Sequence, residues 1–139
     1  MADIGLTHIA LPVKDVAASV AFYEKYARMK VVHQRTDSIS GDSVVWLSDQ
    51  TRPFAIVLIE VPIVEKVLSP LAHLGVGCES KEEVDRLTEE ARAEGVLIGG
   101  PGDEGYPVGY WAFLSDPDGH TLELSYGQEV GLTVEQSKT

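Results

Sequence analysis

The chain has 139 residues, 44% apolar and 24% charged, with one cysteine and a formal net charge of −11. That length supports one domain with a sizeable core, and the composition is that of a globular protein rather than a disordered or membrane-spanning one. The acidity excludes nucleic acid and anionic membranes as partners, since both need a basic surface; the lone Cys78 excludes an intrachain disulfide, and without a signal-peptide pattern a cytoplasmic location is expected.

Gly5 to Val13 reads as a strand, with Ile9, Leu11 and Val13 on one face and Leu6, His8 and Ala10 on the other. Pro12 places it at an edge or near its end. Asp15 is the N-cap of a helix reaching about Arg28, with Val16, Val20, Tyr23 and Ala27 on one side. Val31 to Arg35, Ser43 to Leu47 and Phe54 to Val61 follow as strands, the last bounded by Pro53 and Pro62. A linker runs from Pro62 to Pro70.

The order then recurs. Leu71 to Cys78 is a strand with His73 on the face opposite Leu74 and Val76. Ser80 and Glu83 form a capping box, and Gly95 ends the helix they begin. The Glu-rich run from Glu82 to Glu94 is the solvated side of that helix. Val96 to Ile98 is a short strand, and the Gly/Pro-rich stretch from Gly99 to Gly109 reads as a loop, with Tyr106 a candidate lid. Tyr110 to Ser115 and His120 to Tyr126 make a hairpin around Asp116-Pro117-Asp118-Gly119. Residues 128–139 are a polar tail.

The two halves match at an offset of 65 residues: His8 falls on His73, Asp15 on Ser80, Phe22 on Leu87, Tyr26 on Ala91 and Trp46 on Trp111. Each half is too small to bury a core alone, which is the mark of a repeat. The fold class expected is therefore α+β, two βαβββ modules (4–62 and 70–127) in a single domain spanning 1–127.

Imidazole is the commonest neutral metal ligand near neutral pH, and a repeat that carries one to the same place in each half points to a metal between the halves. In the last strand Leu122, Leu124 and Tyr126 suit the helix side. Thr121, Glu123 and Ser125 then face away with the histidines. A carboxylate among leucines is costly unless paired or bound to a cation. His8, His73 and Glu123 thus form a two-histidine-one-carboxylate set for one divalent ion, with Fe, Mn, Zn, Ni and Co not distinguishable. At the repeat offset Glu123 corresponds to Leu58, or to Ile56 after a slip of two, and neither can bind metal. Glu60 is assigned to the same face as the general base. His33 and His120 are read as surface or hairpin residues, and Trp46, Tyr110 and Trp111 as core or substrate-stacking aromatics.

The stretches Leu6-Thr7-His8-Ile9-Ala10-Leu11, with Phe22-Tyr23, and Phe113 to Leu124 around Asp116-Pro117-Asp118-Gly119 carry a family likeness. Over about residues 4 to 127 the chain resembles the vicinal oxygen chelate superfamily, which includes glyoxalase I, fosfomycin-resistance enzymes, extradiol dioxygenases and bleomycin-resistance proteins. The resemblance implies a partly closed eight-stranded mixed sheet with helices outside. It implies metal ligands at His8, His73 and Glu123, and a homodimer in which modules are paired within or between chains. It implies a small substrate that chelates the metal through adjacent oxygens in a lyase, isomerase or transferase reaction. Two alternatives accompany it: an iron(II) dioxygenase acting on a catechol-like compound, and a metal-free drug-binding protein of the bleomycin-resistance type.

Overall fold

A computed structural model describes residues 2–138. The first module is built from β1 (His8–Val13), α1 (Val16–Ala27), β2 (Lys30–Thr36), β3 (Ser43–Ser48) and β4 (Ala55–Glu60). The second repeats the order with β5 (Leu74–Gly77), α2 (Lys81–Glu94), β6 (Leu97–Asp103), β7 (Tyr110–Ser115) and β8 (Thr121–Tyr126). A seven-residue helix, α3 (Val130–Gln136), follows in the segment expected to be a loose tail, and none of its residues is buried. Two compact units result: one runs to Val67 and includes Pro117–Gly119, the other comprises Leu68–Asp116 and the chain from His120 onward.

The α+β class and the two βαβββ modules are as expected. The strands form two four-stranded mixed sheets, neither of them closed, ordered β1-β4-β3-β2 and β5-β8-β7-β6. In each, the first strand runs parallel to the last and the other pairings are antiparallel. Pro12 sits in β1, an outer strand of its sheet, where a missing N–H disturbs no central ladder.

Local chemistry explains the helix ends. The Asp15 carboxylate accepts from Ala18 N–H at 3.2 Å and starts α1. Ser80 Oγ accepts from Glu83 N–H at 3.0 Å, and the Glu83 carboxylate reaches back to Glu79 N–H at 2.9 Å, one residue before the reciprocal partner of a capping box. Gly95 closes α2 with φ 74°, a left-handed conformation that glycine adopts without strain.

Each helix covers one face of its own sheet. Under α1 lie Leu11, Val13, Val45, Leu47, Ile56 and Leu58, facing Phe22, Tyr23 and Tyr26. Under α2 lie Ala112, Leu114, Leu122 and Leu124, facing Val84, Leu87 and Ala91. Each such leucine contributes roughly 1.5–3 kcal/mol by leaving water.

The first five residues of the stretch read as a loop, Gly99 to Asp103, are strand, because β6 continues to Asp103. Its glycines answer a neighbour. A Cβ on Gly102 would stand 2.6 Å from Trp111 Cζ2, so the indole of β7 lies flat on backbone that only glycine leaves clear. Trp111 is thereby a packing residue. Tyr126, expected beneath the helix, is exposed at the end of β8. No helix among the described residues is long and apolar enough to cross a membrane.

Candidate metal and substrate site

The pairing registers fix which residues share a face. Ala10 lies opposite Val57 on β4, and Gly75, its repeat counterpart, lies opposite Glu123 on β8. Val57 in turn opposes Trp46, and Glu123 opposes Phe113. The repeat offset is therefore 65 in the first strand and helix, 67 in the third strand and 66 in the fourth. The counterpart of Glu123 is Val57, and that of Trp46 is Phe113 rather than Trp111.

This overturns the face expected for β4. Ile56 and Leu58 are buried under α1, and Glu60 shares their parity. The Glu60 carboxylate accepts from Val16 N–H at 3.0 Å, at the first turn of α1. It satisfies a helix-end donor and lies on the face of β4 opposite Val57, not on the His8 face expected of the general base. The segment Ile56-Val57-Leu58-Ile59 is apolar throughout and offers no alternation from which to read a face.

In the second module His73 and Glu123 come together. His73 Nε2 stands 3.8 Å from Glu123 Oε1. The Nδ1–H of His73 donates to Leu71 O at 2.8 Å, which leaves Nε2 as the nitrogen turned to the carboxylate. Phe113 packs edge-on against the imidazole, with ring centroids 5.2 Å apart. Glu123 is only 7% exposed, and among the described residues its carboxylate has His73 as its polar neighbour, at a distance too long for a hydrogen bond. Thr121, on the same face, has a buried hydroxyl without a hydrogen-bond partner.

A carboxylate on a largely buried side chain, next to an imidazole held through its other nitrogen by a carbonyl, supplies two donors that could hold a divalent metal. Two atoms each about 2.0–2.2 Å from one ion can lie as much as about 4 Å apart, so the spacing is compatible with shared ligation. His8 belongs to the other unit, and the described residues hold no group of three or more His, Cys, Asp or Glu donors.

In the first module His8 lines an open cleft of about 510 Å³. Its Nδ1 is 2.9 Å from Thr7 Oγ1. Val57 and Ala55 lie on the cleft face of β4, and Trp46, 38% exposed, lines it from β3. The guanidinium of Arg35 stands 5.8 Å from the Trp46 ring. Trp46 is thus on the cleft face rather than in the core, a position signalled by its parity opposite to buried Val45 and Leu47.

The remaining histidines separate. His33 is exposed and packs on Trp46 at 4.8 Å. His120, expected at the surface or in the hairpin, is buried beside the β7–β8 turn, where its Nδ1 accepts from Leu68 N–H at 3.0 Å. Its backbone N–H donates to Asp116 Oδ1 at 2.9 Å, so it braces the turn.

A module of this order repeated twice, with a histidine entering each first strand and an acid in the last, defines a class. The family model of the Glyoxalase/Bleomycin resistance protein/Dioxygenase superfamily matches residues 5–124, and the chain belongs to that superfamily. It is 40% identical over 129 residues to the uncharacterized protein PA2024 of Pseudomonas aeruginosa, covering 91% of each chain. Among solved structures it is similar to a possible glyoxalase from Bacillus cereus, with 25% identity, TM-score 0.68, and 88% and 99% of the two chains covered. It is also similar to the fosfomycin resistance protein FosX of Listeria monocytogenes complexed with Mn(II) and sulfate, with 26% identity, TM-score 0.68, and 88% and 92% covered.

Proposed function

We propose that the chain is a divalent-metal-dependent enzyme of the glyoxalase type, a lyase, isomerase or transferase for a small substrate bearing two adjacent oxygens. One observation carries the reading: the largely buried Glu123 side chain sets its carboxylate 3.8 Å from His73 Nε2. His73 and Glu123, with His8 as third ligand, would hold the ion, and when bound it supplies Lewis-acid stabilisation of negative charge developing on a substrate oxygen.

The chain's own groups prepare that chemistry. Leu71 O fixes the tautomer of His73, and Phe113 fixes its ring plane. Trp46, Val57 and Ala55 give the His8 cleft an apolar wall that excludes water around a bound substrate. Val57 stands where the first module would otherwise present a fourth acidic ligand, which keeps the donor set at three and favours open coordination positions. The same set suits an iron(II) dioxygenase, so oxygen uptake with a catechol-type substrate is the measurement that separates the two. A homodimer and a cytoplasmic location complete the proposal.

Metal titration of the purified chain tests it. His73→Ala and Glu123→Ala should each weaken Mn(II) or Zn(II) binding by about 100-fold or more, beyond the loss usual for a supporting residue. His8→Ala should do the same if it is the third ligand. Retention of parental affinity in all three variants would sink the proposal.

A further inference from the structure

We propose that the first-module cleft recognises a small organic oxyanion: a carboxylate or phosphoryl group on a flat apolar body, held by Arg35 and Arg52. This deepens the reading above, because His8 lines the same cleft.

The argument begins from charge. The chain has 22 acidic and 11 basic side chains, so carboxylate partners for a surface cation are plentiful. In the second module the cations take them: Lys81 pairs with Asp103, Arg86 with Glu90 and Arg92 with Glu89. Arg35 and Arg52 both line the first-module cleft, and among the described residues neither forms an ion pair. Asp3 is the one carboxylate on the lining. Asp37 lies close enough to Arg35 to feel its charge, but its Oδ1 accepts from Ile39 and Ser40 N–H at 2.8 and 2.9 Å.

Two guanidinium groups without an ion pair among the described residues, against one carboxylate on the same lining, leave a local positive excess in the cleft. Each offers a planar fork of donors that matches a carboxylate or phosphate edge. The same lining carries the apolar and aromatic side chains of Trp46, Phe54 and Val57. A flat ring can stack on the exposed Trp46 while its anionic substituent meets the arginines. The volume of about 510 Å³ admits a molecule of that size. The net charge of −11 repels anions in general, so capture depends on both guanidinium groups being within reach.

Titration calorimetry on the full chain, stripped of metal with EDTA and again after adding Mn(II), provides the test. The probes are benzoate, phenylphosphonate and benzamide, alike in ring and different in charge. At least one oxyanion should bind roughly tenfold or more tighter than neutral benzamide, and should weaken as salt rises from about 50 to about 300 mM. The stronger of benzoate and phenylphosphonate identifies the oxyanion type. Arg35→Ala and Arg52→Ala should each lose about tenfold, and Arg86→Ala none. Equal binding of benzamide and both oxyanions, no oxyanion binding by about 10 mM, or parental affinity in both cleft variants would overturn the proposal. The charge contrast in the unmodified chain decides the matter even if a variant misfolds. Anion binding read on metal-free protein is independent of His73 and Glu123. Loss of one result without the other therefore separates failure of this inference from failure of the metal reading.

Discussion

The two modules share one backbone plan and differ in what they place on the uncovered face of the sheet. Where the second module has Thr121 and Glu123 on its last strand, the first has Ala55 and Val57. Where the first has exposed Trp46, the second has Phe113, packed against His73. The second face carries the polar, buried Thr121 and Glu123. The first is apolar and open, with Arg35 and Arg52 on the cleft lining and without an ion pair among the described residues. The helix-covered faces match closely: Leu58 and Leu124, Leu47 and Leu114, and Phe22 and Leu87 are buried pairs. Packing holds the fold constant in both halves, and the two modules differ in the face that no helix covers.

The largest effect expected tests the register behind that comparison. Leu58→Glu buries a charge under α1 and should cost several kcal/mol, on the order of 4 or more, enough to unfold a marginal domain. Val57→Glu, one residue away, puts a carboxylate on the open face and should cost about 1 kcal/mol or less. Denaturant midpoints measured side by side give the answer. If Leu58→Glu folds well while Val57→Glu does not, β4 faces the other way and the correspondence between Val57 and Glu123 collapses.

Gly102→Ala probes a difference in the second strands. β6 runs beneath the Trp111 indole, and the added methyl would fall 2.6 Å from Trp111 Cζ2. Overpacking of this kind costs roughly 1–3 kcal/mol. The loss should be largely recovered when Trp111 is also changed to Leu, a coupling that a double-mutant cycle measures. Additive losses would mean that the close approach is not what keeps this position glycine.

Much of the fold was legible because caps and helix periods are local signals. Asp15, Ser80 and Gly95 marked the helix ends, and Val84, Leu87 and Ala91 marked the buried side of α2. What escaped was non-local. β4 is apolar at every position from Ile56 to Ile59, so only its hydrogen bonds to β1 and β3 settle its faces. A fixed offset of 65 placed Glu123 on Leu58, since sequence cannot show that connections of unequal length shift the offset strand by strand. β6 was hidden because its glycines serve Trp111, and glycine runs ordinarily signal loops. Glu123 stands out in sequence as a lone acid between Leu122 and Leu124, and His73 as the repeat partner of His8, and the fold brings the two to 3.8 Å.

Glu60 gives a smaller test of the same lesson. Glu60→Ala removes the acceptor for Val16 N–H and a negative charge at the start of α1. The cost should be about 1 kcal/mol in a denaturant midpoint, with metal affinity unchanged. Weakened metal binding with unchanged stability would return Glu60 to the cleft and revive it as a catalytic candidate.

The smallest effect lies in a contact that the first module lacks. The Tyr110 hydroxyl donates to the Asp85 carboxylate, joining β7 to α2, whereas the structural counterpart of Tyr110 in β3 is Ser43. That hydrogen bond comes first among the causes that push the phenol up to about 12, ahead of burial and the charges of Asp85 and Asp103. A raised value means that the fold favours the protonated phenol. The contact therefore contributes stability fully below the unfolded value of about 10, and that contribution is lost as pH rises from about 10 through about 12. Difference absorbance near the phenolate band, with Tyr110→Phe subtracted, isolates this one titration. In the parent it should sit near 12, and in Asp85→Ala it should fall toward the ordinary tyrosine value. Alkaline stability should lose its dependence on Tyr110 in the same variant. An unshifted titration in Asp85→Ala would show that burial, not the carboxylate, governs Tyr110, and that the link between β7 and α2 does not distinguish the second module from the first.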